Sequence, residues 1–147
     1  MPHSHIAVFV HFVWMTAART PIITPDCERR LFRCIEANAR KLDCHVLALN
    51  GTYDHVHLLV QLPAEVALAA AMHQIKGASA RFMNAQRERD GVVYDTRWAW
   101  KACYGATSVS PAGLDAVRAY IANQKPHHAG NFDDGNVSVE RGDESRR

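Results

Sequence analysis

His55 and His57 are separated by one residue. On a β-strand successive side chains point to opposite faces, so this spacing puts both imidazoles on one side and Val56, Leu58 and Val60 on the other. Two neutral imidazoles at a separation fixed by a stiff strand make half of a divalent-metal site. Completing it takes a further ligand, and using it takes a nucleophile. Tyr120 and Gln124 lie four residues apart, so on a helix they share a face one turn from each other. If that helix crosses the histidine-bearing face, Gln124 can offer its carbonyl oxygen to a cation held by His55 and His57, with Tyr120 one turn away.

The rest of the chain has to position these groups. The β-branched and aromatic run 6–15 reads as a first strand, with His11 as a core or supporting group rather than a ligand. Thr24-Pro25-Asp26 is a helix start: a capping hydroxyl, then a proline whose missing N–H costs nothing, then an acid in the first turn. That helix runs to about Lys41 with Leu31, Ile35, Ala39 and Leu42 inward. A second strand, 45–50, closes on the turn signal Asn50-Gly51, and the histidine strand follows, stopping at Pro63. The short connection favours antiparallel pairing. Tyr53 falls on the strand face of His55 and reads as a packing or supporting residue.

From 64 to about 89 comes an alanine-rich helix. Val66, Ala69, Ala70, Ile75, Phe82 and Met83 form its apolar side, and Lys76, Arg81, Arg87 and Arg89 form either a solvated face or a DNA-backbone contact. Asp90-Gly91 breaks it. Residues 92–94 and 98–109 read as extended, with a bend or close approach at Gly105. Ser110-Pro111 opens a last helix bearing Leu114, Val117, Tyr120 and Ile121, which Pro126 terminates or kinks.

Strand, helix, strand, strand, helix, strand is a split βαβ order. It gives an α+β, ferredoxin-like antiparallel sheet with two helices on one face and an added C-terminal helix carrying the tyrosine. The domain spans 1–129. The polar, glycine-bearing segment 130–147 reads as a mobile tail.

Composition narrows the setting. A chain of 147 residues fits one domain. The four cysteines form no Cys-x-x-Cys pair and read as reduced thiols, and no stretch approaches membrane-spanning length, so a cytoplasmic location is the default. Net charge is +2; five of the 15 acids but only three of the 17 basic residues fall in the tail, leaving +4 on the rest. That suits nucleic acid without demanding it. His127-His128, after a proline, reads as an exposed pair rather than a second metal site.

Tyr53-Asp54-His55-Val56-His57-Leu58-Leu59-Val60 resembles the histidine motif of the IS200/IS605-type single-tyrosine transposases of the HUH endonuclease superfamily. Tyr120-Ile121-Ala122-Asn123-Gln124 resembles their tyrosine-helix motif. Three shorter matches keep the family's order: Phe12-Val13-Trp14, the run 75–81 in the long helix, and the run 104–110 before the last one. The resemblance implies a nucleophilic Tyr120, metal ligands His55, His57 and Gln124, and Mg²⁺ or Mn²⁺ as the ion. It further implies a ferredoxin-like homodimer that cuts and rejoins single-stranded DNA at hairpin-bearing element ends, often with the tyrosine helix acting on the partner's site.

The residues suit such chemistry. Two imidazoles and an amide oxygen are neutral, so a bound ion keeps its full charge for a phosphate. A tyrosine nucleophile keeps the bond energy in a 5′-phosphotyrosine, which a 3′-hydroxyl can later attack. Lys76 and Arg81 are candidates for backbone phosphates, and Trp98, Trp100 and Tyr104 for base stacking. Three other readings compete: a domesticated relative processing chromosomal palindromic repeats, a non-catalytic ferredoxin-like nucleic-acid-binding protein, and a metal hydrolase that uses water.

Overall fold

The computed structural model describes residues 4–125. Four antiparallel strands, β1 (Phe9–Met15), β2 (His45–Gly51), β3 (His55–Gln61) and β4 (Gly105–Val109), form one sheet in the order β2-β3-β1-β4. Helices α1 (Pro25–Lys41) and α2 (Leu68–Asp90) connect them, and α3 (Leu114–Ala122) follows β4. This is the ferredoxin-like arrangement expected from the order of elements, with β3 and β1 as the two central strands.

Alternation decides which face goes where. Val10, Phe12 and Trp14 of β1 and Val56, Leu58 and Val60 of β3 are buried with Leu31 and Ile35 of α1 and Met72 and Ile75 of α2 in one cluster. Burying these side chains supplies the main stabilisation, roughly 1.5–3 kcal/mol for each large one. The intervening residues His11, Val13, His55 and His57 therefore face away from α1 and α2, toward the side that α3 partly covers against β2 and β3.

α1 has the expected bounds. Pro25 sits in its first turn with Asp26 and Glu28, and Arg40 and Lys41 in the last, matching the helix dipole at both ends. Thr24 holds the N-cap position, but its hydroxyl makes no capping hydrogen bond. α2 begins at Leu68 instead of 64, after a tight turn in which Val66 N–H bonds Pro63 O. Its buried stripe is Ala71, Met72, Ile75, Ser79 and Met83, and the expected Ala69 and Ala70 are exposed. Alanine is small enough for either face, so an alanine-rich run carries little phase information.

Two further expectations are corrected. Asn50-Gly51 is not a turn: β2 continues through Gly51, and the reversal falls on 52–54. Glycine is required there because a Cβ would collide with the His55 carbonyl oxygen of the neighbouring strand. Residues 92–104 form no strand, although Thr16 and Trp100 make an isolated bridge. α2 holds this segment by side chains instead. Asn84 pairs with both backbone groups of Trp98 at 2.9 Å, and Trp100 Nε1 donates to Ser79 Oγ at 2.9 Å. The expected tail, the 129/130 boundary, Pro126 and His127-His128 lie outside the described residues. Among the described residues no helix is long and apolar enough to cross a membrane.

Candidate metal and nucleophile site

β3 places His55 and His57 on one face, with ring centroids 5.2 Å apart and planes at 72°. Both are shielded from solvent, at 6% and 0% exposure. The turn before β3 orients the first ring: His55 Nδ1 lies 2.7 Å from Asp54 Oδ1 and 2.9 Å from Thr52 Oγ1. A carboxylate only accepts, so His55 carries its proton on Nδ1 and presents the Nε2 lone pair to the buried side. Arg19 Nε donates to Asp54 Oδ2 at 3.3 Å, and Thr16 N–H and Ile23 N–H bond the Asp54 and Tyr53 carbonyls, so the turn is anchored on three sides. Burial raises the pKa of Asp54, but the His55 hydrogen bond, with the Arg19 charge and the Thr52 hydroxyl, outweighs it and holds the carboxyl below its ordinary range.

His57 is backed differently. Its Nδ1 lies 2.9 Å from Nε2 of His11, which stands on the same face of β1, and burial pushes the His11 pKa down. Neither Asp54 nor the His11–His57 pairing was read from the sequence. Asp54 gave a usable signal, a carboxylate adjacent to a candidate ligand, whereas the His11 pairing depends on strand register.

α3 brings the phenol to this corner. The Tyr120 ring stands edge-on to His57 at 5.7 Å between centroids and to His11 at 6.3 Å. All three belong to one chain. Gln124, expected on the same helix, lies past its end, because α3 stops at Ala122 with Asn123 as C-cap. The four carbonyls that a helix C-terminus leaves open are all met locally. Ala119 O accepts from Asn123 N–H, Tyr120 O from Gln124 Nε2 at 3.1 Å, and Ile121 O and Ala122 O from Asn50 Nδ2 at 3.0 and 3.2 Å. Asn50 is the β2 residue directly opposite His57, so the clamp on the tyrosine helix and the histidine strand are neighbours. Lys125 Nζ extends the clamp, bonding Asn50 Oδ1 at 2.8 Å and Glu28 Oε1 of α1 at 2.6 Å.

This geometry leaves the Gln124 side chain fully buried, its Nε2 used by Tyr120 O and its Oε1 with no hydrogen-bond donor among the described residues. A buried amide oxygen without a donor costs about 1–3 kcal/mol. Among the described residues no group of three His, Cys, Asp or Glu side chains is placed to hold a metal ion. The Gln124 oxygen has a chemistry that suits a third donor: with two imidazole nitrogens it would make a neutral N, N, O set of the kind a divalent ion accepts with positions left open.

The candidate DNA contacts are dispersed. Trp98 is 1% exposed and packed against Trp100 in the core, with no ring face available to a base. Tyr104 is half-buried against Phe12. Lys76 Nζ donates to Lys101 O at 2.7 Å and Cys103 O at 3.1 Å, holding the segment before β4, while Arg81 is exposed. Both cations are on α2, across the sheet from the histidines. Tyr53 is 62% exposed in the turn, so it neither lies on the strand nor packs as expected.

A family model described as IS200-like transposase matches residues 4–124. A solved structure from Deinococcus radiodurans with a provisional transposase assignment superposes with a TM-score of 0.66 at 22% identity, covering 84% of this chain and 96% of that one. A REP-associated tyrosine transposase bound to a REP hairpin superposes with a TM-score of 0.61 at 14% identity, covering 87% and 72%. Among curated proteins none matches the chain.

Proposed function

The chain belongs to the IS200-like transposase family of the HUH superfamily, and we propose that it cuts and rejoins single-stranded DNA at hairpin-bearing ends with Tyr120 as nucleophile. The observation that carries this reading is the Tyr120 ring beside His57 in one chain, with Gln124 Nε2 donating to the backbone carbonyl of the same tyrosine while the buried Gln124 Oε1 has no donor among the described residues. His55 and His57 through Nε2, and Gln124 through Oε1, would hold Mg²⁺ or Mn²⁺. When bound there, the ion supplies charge neutralisation at a non-bridging phosphate oxygen.

The chain's own residues do the rest. Tyr120 loses its proton and its oxygen attacks phosphorus; the bond from phosphorus to the 3′-oxygen breaks, and that oxygen leaves as a 3′-hydroxyl after taking up a proton. The product is a 5′-phosphotyrosine. A 3′-hydroxyl from another strand reverses the exchange and restores the phenol, so joining needs no nucleotide cofactor. Asp54 keeps His55 in the tautomer with a free Nε2 lone pair, and the Asn50 clamp keeps the phenol over the histidine strand. The reading includes a homodimer and a hairpin substrate; the hairpin in the REP-associated neighbour supports the latter.

Labelled single-stranded DNA carrying candidate hairpin ends, incubated with protein and Mn²⁺ and then denatured in detergent, tests it. A protein-linked band is expected that disappears in Tyr120→Phe and in His57→Ala. A band that survives Tyr120→Phe, or turnover to hydrolysed product alone, overturns the proposal.

A further inference from the structure

α3 packs on β2 and β3, and on that half of the sheet face His55, His57 and Leu59 of β3 are buried. The other half of the same face, on β1 and the edge strand β4, keeps its surface. Phe9, His11, Val13 and Val109 are partly exposed there, and Thr107 is exposed. Register puts the five side chains on one face, because Phe9 pairs with Val109 and His11 with Thr107, and cross-strand partners point the same way. From Phe9 to Val13 the strip is about 13 Å long by the rise of a strand. It is mainly apolar, and none of the five residues is acidic.

The strip adjoins the phenol. The Tyr120 ring stands edge-on to His57 of β3 and to His11 of β1, so a phosphate beside Tyr120 sits where the covered half meets the open one. A strand has to run away from that point, and α3 closes the side over β2 and β3. In an in-line displacement the attacking and leaving oxygens lie on opposite sides of phosphorus. The phenol comes from α3, so the 3′-oxygen departs away from α3, over β1 and β4. The nucleotide that carries this oxygen is the one 5′ to the cut. Its base can lie on the apolar strip while its phosphate stays in solvent, and a hydroxyl at the base edge can tell donors from acceptors.

We propose that the β1–β4 strip seats the nucleotide 5′ to the cut, and that Thr107 is a specificity-determining residue that reads its base through a hydroxyl hydrogen bond. The inference rests on the strand-transfer function proposed above and names the part of the substrate that the open half of the sheet receives. One neutral hydrogen bond discriminates modestly, by roughly 2–10-fold between bases. Thr107 therefore sets a preference at this position, and the apolar floor of Phe9, Val13 and Val109 accepts every base.

The test is the rate of phosphotyrosine formation with Mn²⁺ on four hairpin-bearing oligonucleotides that differ only in the base 5′ to the cut, the cut being located by sequencing the released strand. Wild type is expected to rank the four over roughly 2–10-fold. Thr107→Val keeps the shape and removes the hydroxyl, and the ranking flattens; Thr107→Ser keeps the hydroxyl and the ranking. Thr107→Trp fills the strip and slows the reaction on all four by roughly 100-fold, as a misplaced substrate does, with an unchanged circular dichroism spectrum. Ser108→Val, next along β4 but on the opposite face, keeps the wild-type ranking. A wild type indifferent to the base, a ranking that survives in Thr107→Val, or full activity in Thr107→Trp overturns the inference and leaves the strand-transfer function standing. A Thr107→Trp protein whose mass in solution differs from wild type marks the strip as a contact between copies, which also overturns it. An absence of adduct on every oligonucleotide overturns the function itself, and this assignment with it.

Discussion

The rings of Tyr120 and His57 meet at 80° with 5.7 Å between centroids, within a single chain. The contact joins α3, on the open side of the sheet, to the strand that carries both histidines. The phenol is therefore placed by how α3 docks, and the docking is fixed at its C-terminal end, where Asn50 and Gln124 take three of the four open carbonyls. The position of the phenol becomes a property of two side-chain amides.

Asn50→Ala removes the donor to Ile121 O and Ala122 O and one of two partners of Lys125. Stability should fall by about 1–3 kcal/mol, the cost of unmet buried polar groups. Urea denaturation measures the loss, and hydrogen exchange should show it concentrated in α3 amides while β1 and β3 stay protected. Uniform loss of protection across the sheet would mean that Asn50 supports the fold and not the helix end.

The fold was largely legible because alternation and helical period are local signals. His55 and His57 with Val56 and Leu58 gave both the strand and its buried face, and Leu31, Ile35 and Ala39 gave the inner side of α1. Legibility failed where the deciding contact is remote in sequence. Asn50-Gly51 carries the dipeptide of a tight hairpin, yet Gly51 is dictated by the close approach of the His55 carbonyl. The register of α2 was lost among alanines. Residues 92–104 look like strand by composition, but their backbone groups are met by Asn84 and Lys76. At the site, type and spacing pick out His55, His57, Tyr120 and Gln124 as candidates and His11 as a core or supporting group; that His11 meets His57 and that Asn50 holds the end of α3 needed strand pairing to appear.

Gly51→Ala should cost about 1–3 kcal/mol, as expected for forcing atoms into a packed site. The added Cβ meets the His55 carbonyl oxygen, which is backbone and cannot rotate away. The damage should reach the site, because the displaced carbonyl belongs to a proposed ligand. Chemical denaturation gives the cost, and chemical-shift changes at His55 and Thr52 give its location. By contrast Gly91→Ala, at a φ of +67° with open space around it, should cost about 1 kcal/mol and leave the histidine signals unmoved.

Lys76 and Arg81 share α2 but not their surroundings, and their substitutions should separate. Lys76 Nζ is hydrogen-bonded to Lys101 O and Cys103 O, so Lys76→Ala should lower stability by about 1–2 kcal/mol through the segment it holds. Arg81 is exposed, and Arg81→Ala should leave stability within about 0.5 kcal/mol of wild type. If Arg81 contacts a phosphate, its loss lowers the salt dependence of single-strand binding by about 0.7 in logarithmic slope. Titrations across a salt series decide this, and an unchanged slope removes Arg81 from the DNA interface.

Gln124→Met tests the proposed third ligand without emptying its space. Gln124 Oε1 is buried with no donor among the described residues, a cost that methionine abolishes, while the bond from Nε2 to Tyr120 O is forfeited. The two effects are each about 1 kcal/mol or a little more and oppose one another, so without divalent ion the variant should be within about 1 kcal/mol of wild type. With Mn²⁺ they should part. A ligand that binds only the folded state at 100 times its Kd adds about 2.7 kcal/mol, so the wild-type Tm should rise with Mn²⁺. The Gln124→Met curve should rise less, and that of His57→Ala should hardly move. An equal Mn²⁺ response in Gln124→Met and wild type would show that the buried oxygen is not a ligand, and its desolvation would then be a cost with no return in cation binding.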